Sequence, residues 1–180
     1  MSDGDPRLTA IRRSALAFVQ VEAGFAQLTT LDPRGYPVTR TMTAFLARDW
    51  SVATVQRRSH RRLAQWRRDP RTEVTWVASP APDATNERPH VFDIGRLPPH
   101  LVSIRGNAEQ MSDEWTADVY FAQLNQQRRA GHTRAPVRSP DGVRVELVGV
   151  QIRPIRIRLE GFGVGAEPFG FTPTPNGDLR

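Results

Sequence analysis

The sequence contains no cysteine and no lysine, and both absences limit what the protein can do. Without cysteine, disulfide bonds, thiolate catalysis and cysteine-ligated metal sites are excluded. All 25 basic side chains are therefore arginine, and the formal net charge is +6. Because function alone would rarely remove every surface lysine, we interpret this bias as genome composition. The basic charge favours anionic partners in general, including phosphorylated small molecules, but does not by itself indicate nucleic acid.

Long apolar segments are also missing. No stretch reaches the ~20 apolar residues that a membrane span requires. The N-terminus carries acidic residues and lacks the apolar segment of a signal peptide. The four histidines are scattered without metal-ligand spacing. We therefore expect a cytoplasmic protein with no membrane contact and no metal site.

The hydrophobic pattern predicts a mainly β protein with a few helices. Strand-like alternation recurs about six times, and the chain length of 180 residues suits one domain over residues 1–180. Residues 79–99 are rich in Pro, Asp and Asn and read as a loop insertion, and residues 163–180 read as an irregular tail. In chain order we predict a helix from Asp5-Pro6 to Gly24 and then strands over 25–31, 38–46 and 49–56. A helix capped by Ser59 follows, then strands over 72–79 and 100–110 and a helix capped by Ser112. The last predicted element is one long or two short strands over 143–159, with a bulge or edge at Pro154.

The segment TVQRRSHRRLAQWRRDPR is the most distinctive stretch of the chain. On a helix that starts at Ser59, Arg61 and Arg62 lie in the first turn, beside unpaired backbone N–H groups. Such donors, a hydroxyl and guanidinium groups together make a phosphate site. A surface that binds extended nucleic acid typically carries aromatic side chains among its positive charges. The one aromatic side chain in this segment, Trp66, occupies a core-like position, so the segment does not have that pattern. Plain surface charge is the alternative interpretation.

Four segments resemble the FMN-binding split barrels related to pyridoxamine 5'-phosphate oxidase. FAQLTTLDPRGYPVTRTM resembles the opening hairpin, and ATVQRRSHRRLAQWRRDP resembles the strand, serine turn and short helix that follow. VSIRGNAEQMSDEWTADVYF resembles the strand with Gly-x-Ala-Glu and the next helix, and IRPIRIRLEGFG resembles the closing strand. The resemblance covers about residues 25–162 and depends on the order and spacing of the four pieces.

This resemblance implies a six-stranded antiparallel split β-barrel that forms a homodimer with FMN at the subunit interface. The flavin would supply the redox chemistry, so no catalytic acid or base needs to be visible. The implied cofactor-binding residues are Arg40, Ser59, Arg61 and Arg62 for the phosphate and Thr41, Met42, Thr43, Thr54 and Val55 along the ring.

The substrate-binding positions depart from the oxidase pattern. Phe45 stands where the oxidases carry a lysine, and Leu124 stands where they carry an arginine. His100-Leu101 replaces their Arg-Gln pair, and Tyr120 alone remains. Two missing cations would cost ~1.5–3 kcal/mol each at a phosphate. We therefore expect a flavin-dependent oxidoreductase with a small, planar substrate that is not a vitamin-B6 phosphate, with Phe45 and Tyr120 at the substrate.

Other functions stay open at this stage. A deazaflavin reductase using coenzyme F-420 fits the same kind of phosphate site, and the arginine-only composition is compatible with hosts that make this coenzyme. A non-catalytic binder of flavin or haem is a second alternative. A nucleic-acid-binding protein is a third, which the phosphate-site interpretation disfavours.

Overall fold

One antiparallel sheet forms the body of the protein. In the computed structural model, which describes residues 6–23, 25–78, 100–129, 131, 137–162 and 169–173, eight strands run in the order β2-β1-β5-β6-β7-β4-β3, and β8 pairs with β7. The elements are α1 (Pro6–Ala17), a π-helical turn (Phe18–Glu22), β1 (Ala26–Leu31), β2 (Pro37–Met42), β3 (Phe45–Leu46), β4 (Val52–Arg57), α2 (Arg61–Arg68), β5 (Arg71–Val77), β6 (Leu101–Gln110), α3 (Asp113–Arg129), α4 (Pro140–Glu146), β7 (Leu147–Glu160) and β8 (Phe169–Phe171).

The long strand β7 curls the sheet into a half-barrel. Its first half pairs with β4 and its second half with β8, while β6 follows it along most of its length. The register shifts beside Gly106, so Gly106 faces Pro154 and Arg105 faces Arg156. A Cβ at Gly106 would lie 2.1 Å from the Arg153 carbonyl oxygen. Only glycine allows this close approach, which explains the bulge predicted at Pro154.

Alternation along the strands places the core on one face of the sheet. In β5, the side chains of Val74 and Trp76 are buried while their neighbours are more exposed. Phe18 from the π-helical turn and Leu63 and Trp66 from α2 also belong to this core. The buried position of Trp66 confirms the core-like position predicted for it.

The first hairpin closes as its turn residues predict. The Asp32 carboxylate accepts hydrogen bonds from the backbone N–H groups of Arg34 (2.8 Å) and Tyr36 (2.9 Å). Gly35 has φ +85°, the left-handed conformation that favours glycine. The carboxylate thus organises the turn and sets the register of β1 against β2.

Three sequence predictions need correction. Residues 143–146 belong to α4 and not to a strand, because Pro140 and the Ser139 cap start a helix there. The predicted strand over 38–46 is split into β2 and β3, and β3 pairs with β4. Residues 169–171 of the predicted irregular tail form β8, where Phe171 is buried.

The antiparallel split-barrel prediction is confirmed, with eight strands among the described residues in place of the six predicted. No helix in the described part of the chain is long and apolar enough to cross a membrane. The predicted insertion over 79–99 and the predicted helix ends at Asp5 and Gly24 lie outside the described residues.

Candidate functional site

The first component of the site is the face of β2 that turns towards α2. In the hairpin register Arg40 lies opposite Leu28, which is fully buried, so both side chains share the inner face. Arg40 Nη1 lies 3.5 Å from Gln65 Oε1 on α2, and the same oxygen accepts a 2.8 Å hydrogen bond from the Thr30 hydroxyl. The phosphate contact that the resemblance implies for Arg40 stays a prediction.

The start of α2 differs from the prediction. The N-cap position belongs to His60, which makes no side-chain capping bond, and the helix begins at Arg61. Ser59 lies in the preceding turn and is exposed, so the predicted serine cap is wrong. The first-turn N–H groups of α2 are therefore left without a side-chain cap. They lie next to Arg62, whose Nη1 reaches Met42 Sδ on β2 at 3.4 Å.

Four basic side chains share this region: Arg40, Arg57, His60 and Arg62, here called the cationic cluster. Burial lowers the pKa of Arg62, and the positive charge of Arg40 lowers it further. Burial also lowers the pKa of His60, as do the charges of Arg62, Arg57 and Arg40. Among the described residues, no carboxylate forms a salt bridge with any member of the cluster. The arrangement is costly for the protein alone and favourable for an anion.

A hydrogen-bond chain holds His60 and the end of β2 against β4. The Thr54 hydroxyl donates to the Thr43 carbonyl oxygen (3.2 Å) and accepts from Gln56 Nε2 (2.6 Å). Gln56 Oε1 then lies 3.4 Å from His60 Nδ1. Because the amide oxygen can only accept, Nδ1 carries the proton in this contact. The other ring nitrogen of a neutral His60 is then an acceptor.

The cluster opens into a cleft of about 370 Å³ between the β4–α2 segment and α3. Arg57, His60 and Arg62 line one side, and Tyr120 and other α3 residues line the other. The full lining consists of Met42, Thr43, Val55, Gln56, Arg57, His60, Arg62, Tyr120, Gln123, Leu124, Gln127, Arg138 and Leu147.

The predicted site residues fall into two groups. Five of them line this cleft: Met42, Thr43, Val55, Arg62 and Tyr120. The others do not line it: Arg40, Thr41, Phe45, Thr54, Ser59 and Arg61. Arg40 still acts on the cleft through its charge, whereas Arg61 and Thr41 are exposed and Thr54 is fully buried. Ser59 borders a neighbouring hollow with Arg57 and Arg138.

Several lining residues were not predicted from the sequence. Gln123 and Gln127 follow Tyr120 at a spacing of three and seven residues, so a helical periodicity search from Tyr120 would have found them. His60 was considered only as a metal ligand, and its position between two arginines could have suggested the anion site. Arg138 comes from the segment before α4 and no local pattern connects it to the cleft.

Helix α3 is seated on β7 by a close contact that fixes its side of the cleft. A Cβ at Gly149 would lie 2.6 Å from two ring carbons of Trp115 and 2.8 Å from the Thr116 hydroxyl oxygen. The Gly149 N–H instead donates a 2.7 Å hydrogen bond to that hydroxyl. Ser112 caps the helix by accepting from the Trp115 N–H at 3.2 Å, which confirms the predicted cap. These contacts fix the position of α3 against β7.

The donors of the cluster fit a phosphate ester. Arg62 and Arg40 supply guanidinium groups, and the uncapped start of α2 supplies backbone N–H groups. A carboxylate-bound metal fits less well: no group of three or more His, Asp or Glu side chains that could hold an ion occurs within the described ranges.

The curled antiparallel half-barrel sheet places the protein in the class of split-barrel proteins. A family model described as pyridoxamine 5'-phosphate oxidase matches residues 11–156. The chain belongs to this family, as the sequence resemblance predicted. No curated protein matches the sequence significantly.

Solved structures with low sequence identity share the fold. The heme-binding protein of Mycobacterium smegmatis is 19% identical with a TM-score of 0.58, over 94% of this chain and 59% of that one. An F420 reductase is 16% identical with a TM-score of 0.54, over 78% of this chain and 94% of that one. General stress protein 26 of Bacillus anthracis is 13% identical with a TM-score of 0.56, over 88% of this chain and 97% of that one. These similarities describe the fold alone.

Proposed function

We propose that this protein is an FMN-dependent oxidoreductase that acts on a small, planar substrate other than a vitamin-B6 phosphate. The observation that carries the proposal is the cationic cluster, in which a half-buried Arg62 lies beside Arg40 and His60 without a carboxylate partner among the described residues. A buried, unpaired guanidinium is unfavourable unless an anion joins it. The phosphate of a mononucleotide supplies that anion.

The flavin, when bound, would supply hydride transfer, and the protein's residues would position it. Arg40 and Arg62 would hold the phosphate, and the first N–H groups of α2 would add hydrogen bonds. The ring would lie along Thr41–Thr43 at the end of β2 and along Thr54–Val55 in β4. Ser59 and Arg61 are exposed and do not line the cleft. We therefore assign them no more than a contact with the phosphate at the rim of the cleft.

The cleft favours a homodimer as the working form. A second subunit would close it around the flavin, as the resemblance to split-barrel flavoproteins implies. Large apolar side chains are also exposed on the described surface, among them Phe25 (68% exposed) and Tyr36 (64% exposed). Light scattering of the purified protein should therefore give twice the chain mass.

Two positions that carry cations in the oxidases hold Phe45 and Leu124 in this chain. Leu124, which stands at an arginine position of the oxidases, is 5% exposed and lines the cleft. Phe45 lies in β3 and pairs with Ala53, outside the cleft lining. We expect no efficient turnover of pyridoxamine 5'-phosphate, and efficient oxidation of that compound would contradict the proposal.

The decisive experiment compares FMN with riboflavin, which lacks the phosphate. FMN should bind at least ~10-fold more tightly than riboflavin, because one charge-assisted contact contributes ~1.5–3 kcal/mol. Quenching of flavin fluorescence measures both affinities. Equal affinities would show that the cluster does not hold the phosphate.

Mass spectrometry of the molecule that co-purifies separates the alternatives. FMN supports the proposal, coenzyme F-420 would indicate a deazaflavin reductase, and haem would indicate a haem-binding protein. A bound flavin that no reductant, oxygen or organic acceptor can turn over would indicate a non-catalytic carrier.

A further inference from the structure

Two arginines of the cationic cluster contact side chains that carry no charge. Arg62 Nη1 lies 3.4 Å from the thioether sulfur of Met42, and Arg40 Nη1 lies 3.5 Å from Gln65 Oε1. Elsewhere among the described residues, several arginines, such as Arg71, pair with a carboxylate. An amide oxygen or a thioether orients a guanidinium group without cancelling its charge.

Gln65 joins three elements of the fold through one oxygen atom. It belongs to α2, and its Oε1 accepts a 2.8 Å hydrogen bond from the Thr30 hydroxyl on β1 and faces Arg40 on β2. Thr30 is 1% exposed, so its hydroxyl depends on this acceptor. Because a guanidinium group can only donate, the amide oxygen and not the amide nitrogen must face Arg40.

This contact limits where the Arg40 guanidinium can lie. Arg40 is half-buried, and no carboxylate forms a salt bridge with it among the described residues. It lies close enough to Arg62 for its charge to lower the pKa of that side chain. A long, flexible side chain would otherwise move away from a like charge. The neutral contact with Gln65 therefore keeps the two guanidinium groups together.

We propose that Gln65 is a positioning residue that holds the Arg40 guanidinium towards the phosphate of the bound cofactor and leaves its positive charge available. This inference rests on the proposed function, because it concerns the same phosphate. A carboxylate in place of the amide would hold Arg40 as well but would neutralise it. A neutral acceptor is thus the side chain that suits a site for an anion.

The variant Gln65→Glu separates the effect of position from the effect of charge. It keeps an oxygen acceptor for Thr30 and Arg40 and adds a negative charge beside Arg40. FMN should bind about tenfold more weakly to this variant, because the charge-assisted contact of Arg40 with the phosphate is weakened. Riboflavin has no phosphate, so its affinity should stay within about twofold. Quenching of flavin fluorescence measures both affinities.

The variant Gln65→Leu removes the acceptor and adds no charge. Arg40 must then be ordered when the phosphate binds, which should raise the Kd of FMN about threefold to tenfold and leave that of riboflavin unchanged. If Gln65→Glu does not fold, this variant carries the test, and unchanged FMN affinity overturns the inference. Loss of FMN affinity in Gln65→Glu alone would show that only the added charge matters, which also overturns the positioning role.

Gln110→Glu is the matched control for the added charge. Gln110 is exposed, its Oε1 accepts from Arg67 Nη2 at 3.4 Å, and neither residue lines the cleft. The substitution thus places the same charge beside an arginine outside the cationic cluster. FMN affinity should stay within about twofold of wild type. An equal loss in Gln65→Glu and Gln110→Glu would assign the effect to net charge and overturn the inference.

A stability measurement separates positioning from a role in folding. Gln65→Glu should keep or raise the unfolding temperature of the cofactor-free protein, because the carboxylate pairs with Arg40 in a cluster of like charges. Unchanged or higher stability with weaker FMN binding is not the result of a damaged fold. A lower unfolding temperature with equal loss of FMN and riboflavin affinity would show that Gln65 only supports the fold, which overturns the inference.

The wild-type titrations separate this inference from the proposed function. If wild type prefers FMN to riboflavin and both Gln65 variants keep that preference, the role of Gln65 is refuted and the proposed function stands. Equal affinities of the wild-type protein for FMN and riboflavin would refute the proposed function itself.

Discussion

Two arginine-bearing regions of the protein use the same side chain in opposite ways. On the face of the sheet away from the core, Arg105 lies 3.4 Å from Glu73, and Arg158 lies 2.6 Å from Glu160. These residues line a cleft of about 560 Å³, larger than the one beside the cationic cluster. In the cationic cluster, Arg40, Arg57 and Arg62 share one region, and no salt bridge involves them among the described residues.

The difference shows that pairing and burial, and not the number of arginines, indicate a binding site. Exposed ion pairs contribute ~0–1 kcal/mol and mainly keep a surface solvated. A desolvated arginine next to another cation is unfavourable in the free protein, and its retention is best explained by a ligand. The larger cleft is therefore the weaker candidate for an anion-binding site, because Glu73 and Glu160 already neutralise two of its arginines.

The largest expected effect is on FMN affinity. Arg62→Gln should raise the Kd of FMN about 10- to 100-fold, because a charge-assisted contact to the phosphate contributes ~1.5–3 kcal/mol. The affinity for riboflavin should change little, since riboflavin has no phosphate. Fluorescence titrations of both ligands check the prediction.

The paired region provides the control for this experiment. Arg158→Gln removes an arginine of the same charge whose partner is Glu160, and FMN affinity should stay within about twofold. If both variants lose affinity equally, the effect comes from overall charge and the cluster is not a specific site.

The next largest expected effect is on the stability of the cofactor-free protein, which should increase when Arg62 is replaced. Arg62→Leu should raise the unfolding free energy of the cofactor-free protein by about 1 kcal/mol, because it removes a desolvated cation that Arg40 repels. Binding-site residues commonly trade stability for function in this way. Urea unfolding of the cofactor-free protein measures the change.

Arg105→Leu is the matched variant in the paired region. Its guanidinium is mostly exposed and lies beside Glu73, so its loss should lower stability by no more than ~0.5 kcal/mol. A destabilised Arg62→Leu variant would mean that the contact of Arg62 with Met42 matters more than the repulsion.

The sequence predicted the fold better than the details of the site. Turn chemistry at Asp32–Gly35 and alternation in β5 are local, so they could be interpreted without the rest of the chain. The phosphate site expected at the start of α2 was inferred from an equally local pattern, and it stays a prediction. Which arginine faces β2 could not be predicted, because this depends on where α2 begins, and a shift of one residue exchanges Arg61 for Arg62.

Contacts between segments distant in sequence account for the remaining differences between the sequence predictions and the structure. Arg138 reaches the cleft only because α4 packs beside α3, and no periodicity in the sequence connects them. β8 forms because Phe171 finds the core next to β7, although its Gly- and Pro-rich surroundings favour irregular structure. Tertiary packing, and not local propensity, thus determines that β8 forms and that Arg138 lines the cleft.

A smaller effect on stability distinguishes the start of α4, which has a serine cap, from the start of α2, which has none. Ser139→Ala should cost about 1 kcal/mol, because the Ser139 hydroxyl accepts from the Gly142 N–H at 3.1 Å and caps α4. Ser59→Ala should change stability by less than ~0.5 kcal/mol, because Ser59 is exposed and does not cap α2. Thermal unfolding of both variants makes the comparison, and an equal loss would restore Ser59 as a cap.

The smallest expected effect is a pH dependence from His60. Burial and the neighbouring arginines lower the pKa of His60 below its ordinary value of 6.5. As the pH falls through 6.5, the unfolded chain takes up a proton at His60 before the folded protein does, so stability decreases until the pH reaches the lowered folded-state pKa. His60→Gln should lose less stability over this window, as measured by urea unfolding at a series of pH values. Above about pH 8 His60 is neutral in both states, so the difference between the variants should there be constant. Parallel curves at all pH values would show that the cluster does not depress the pKa of His60, which would weaken the case that its cations lie close enough to share one phosphate.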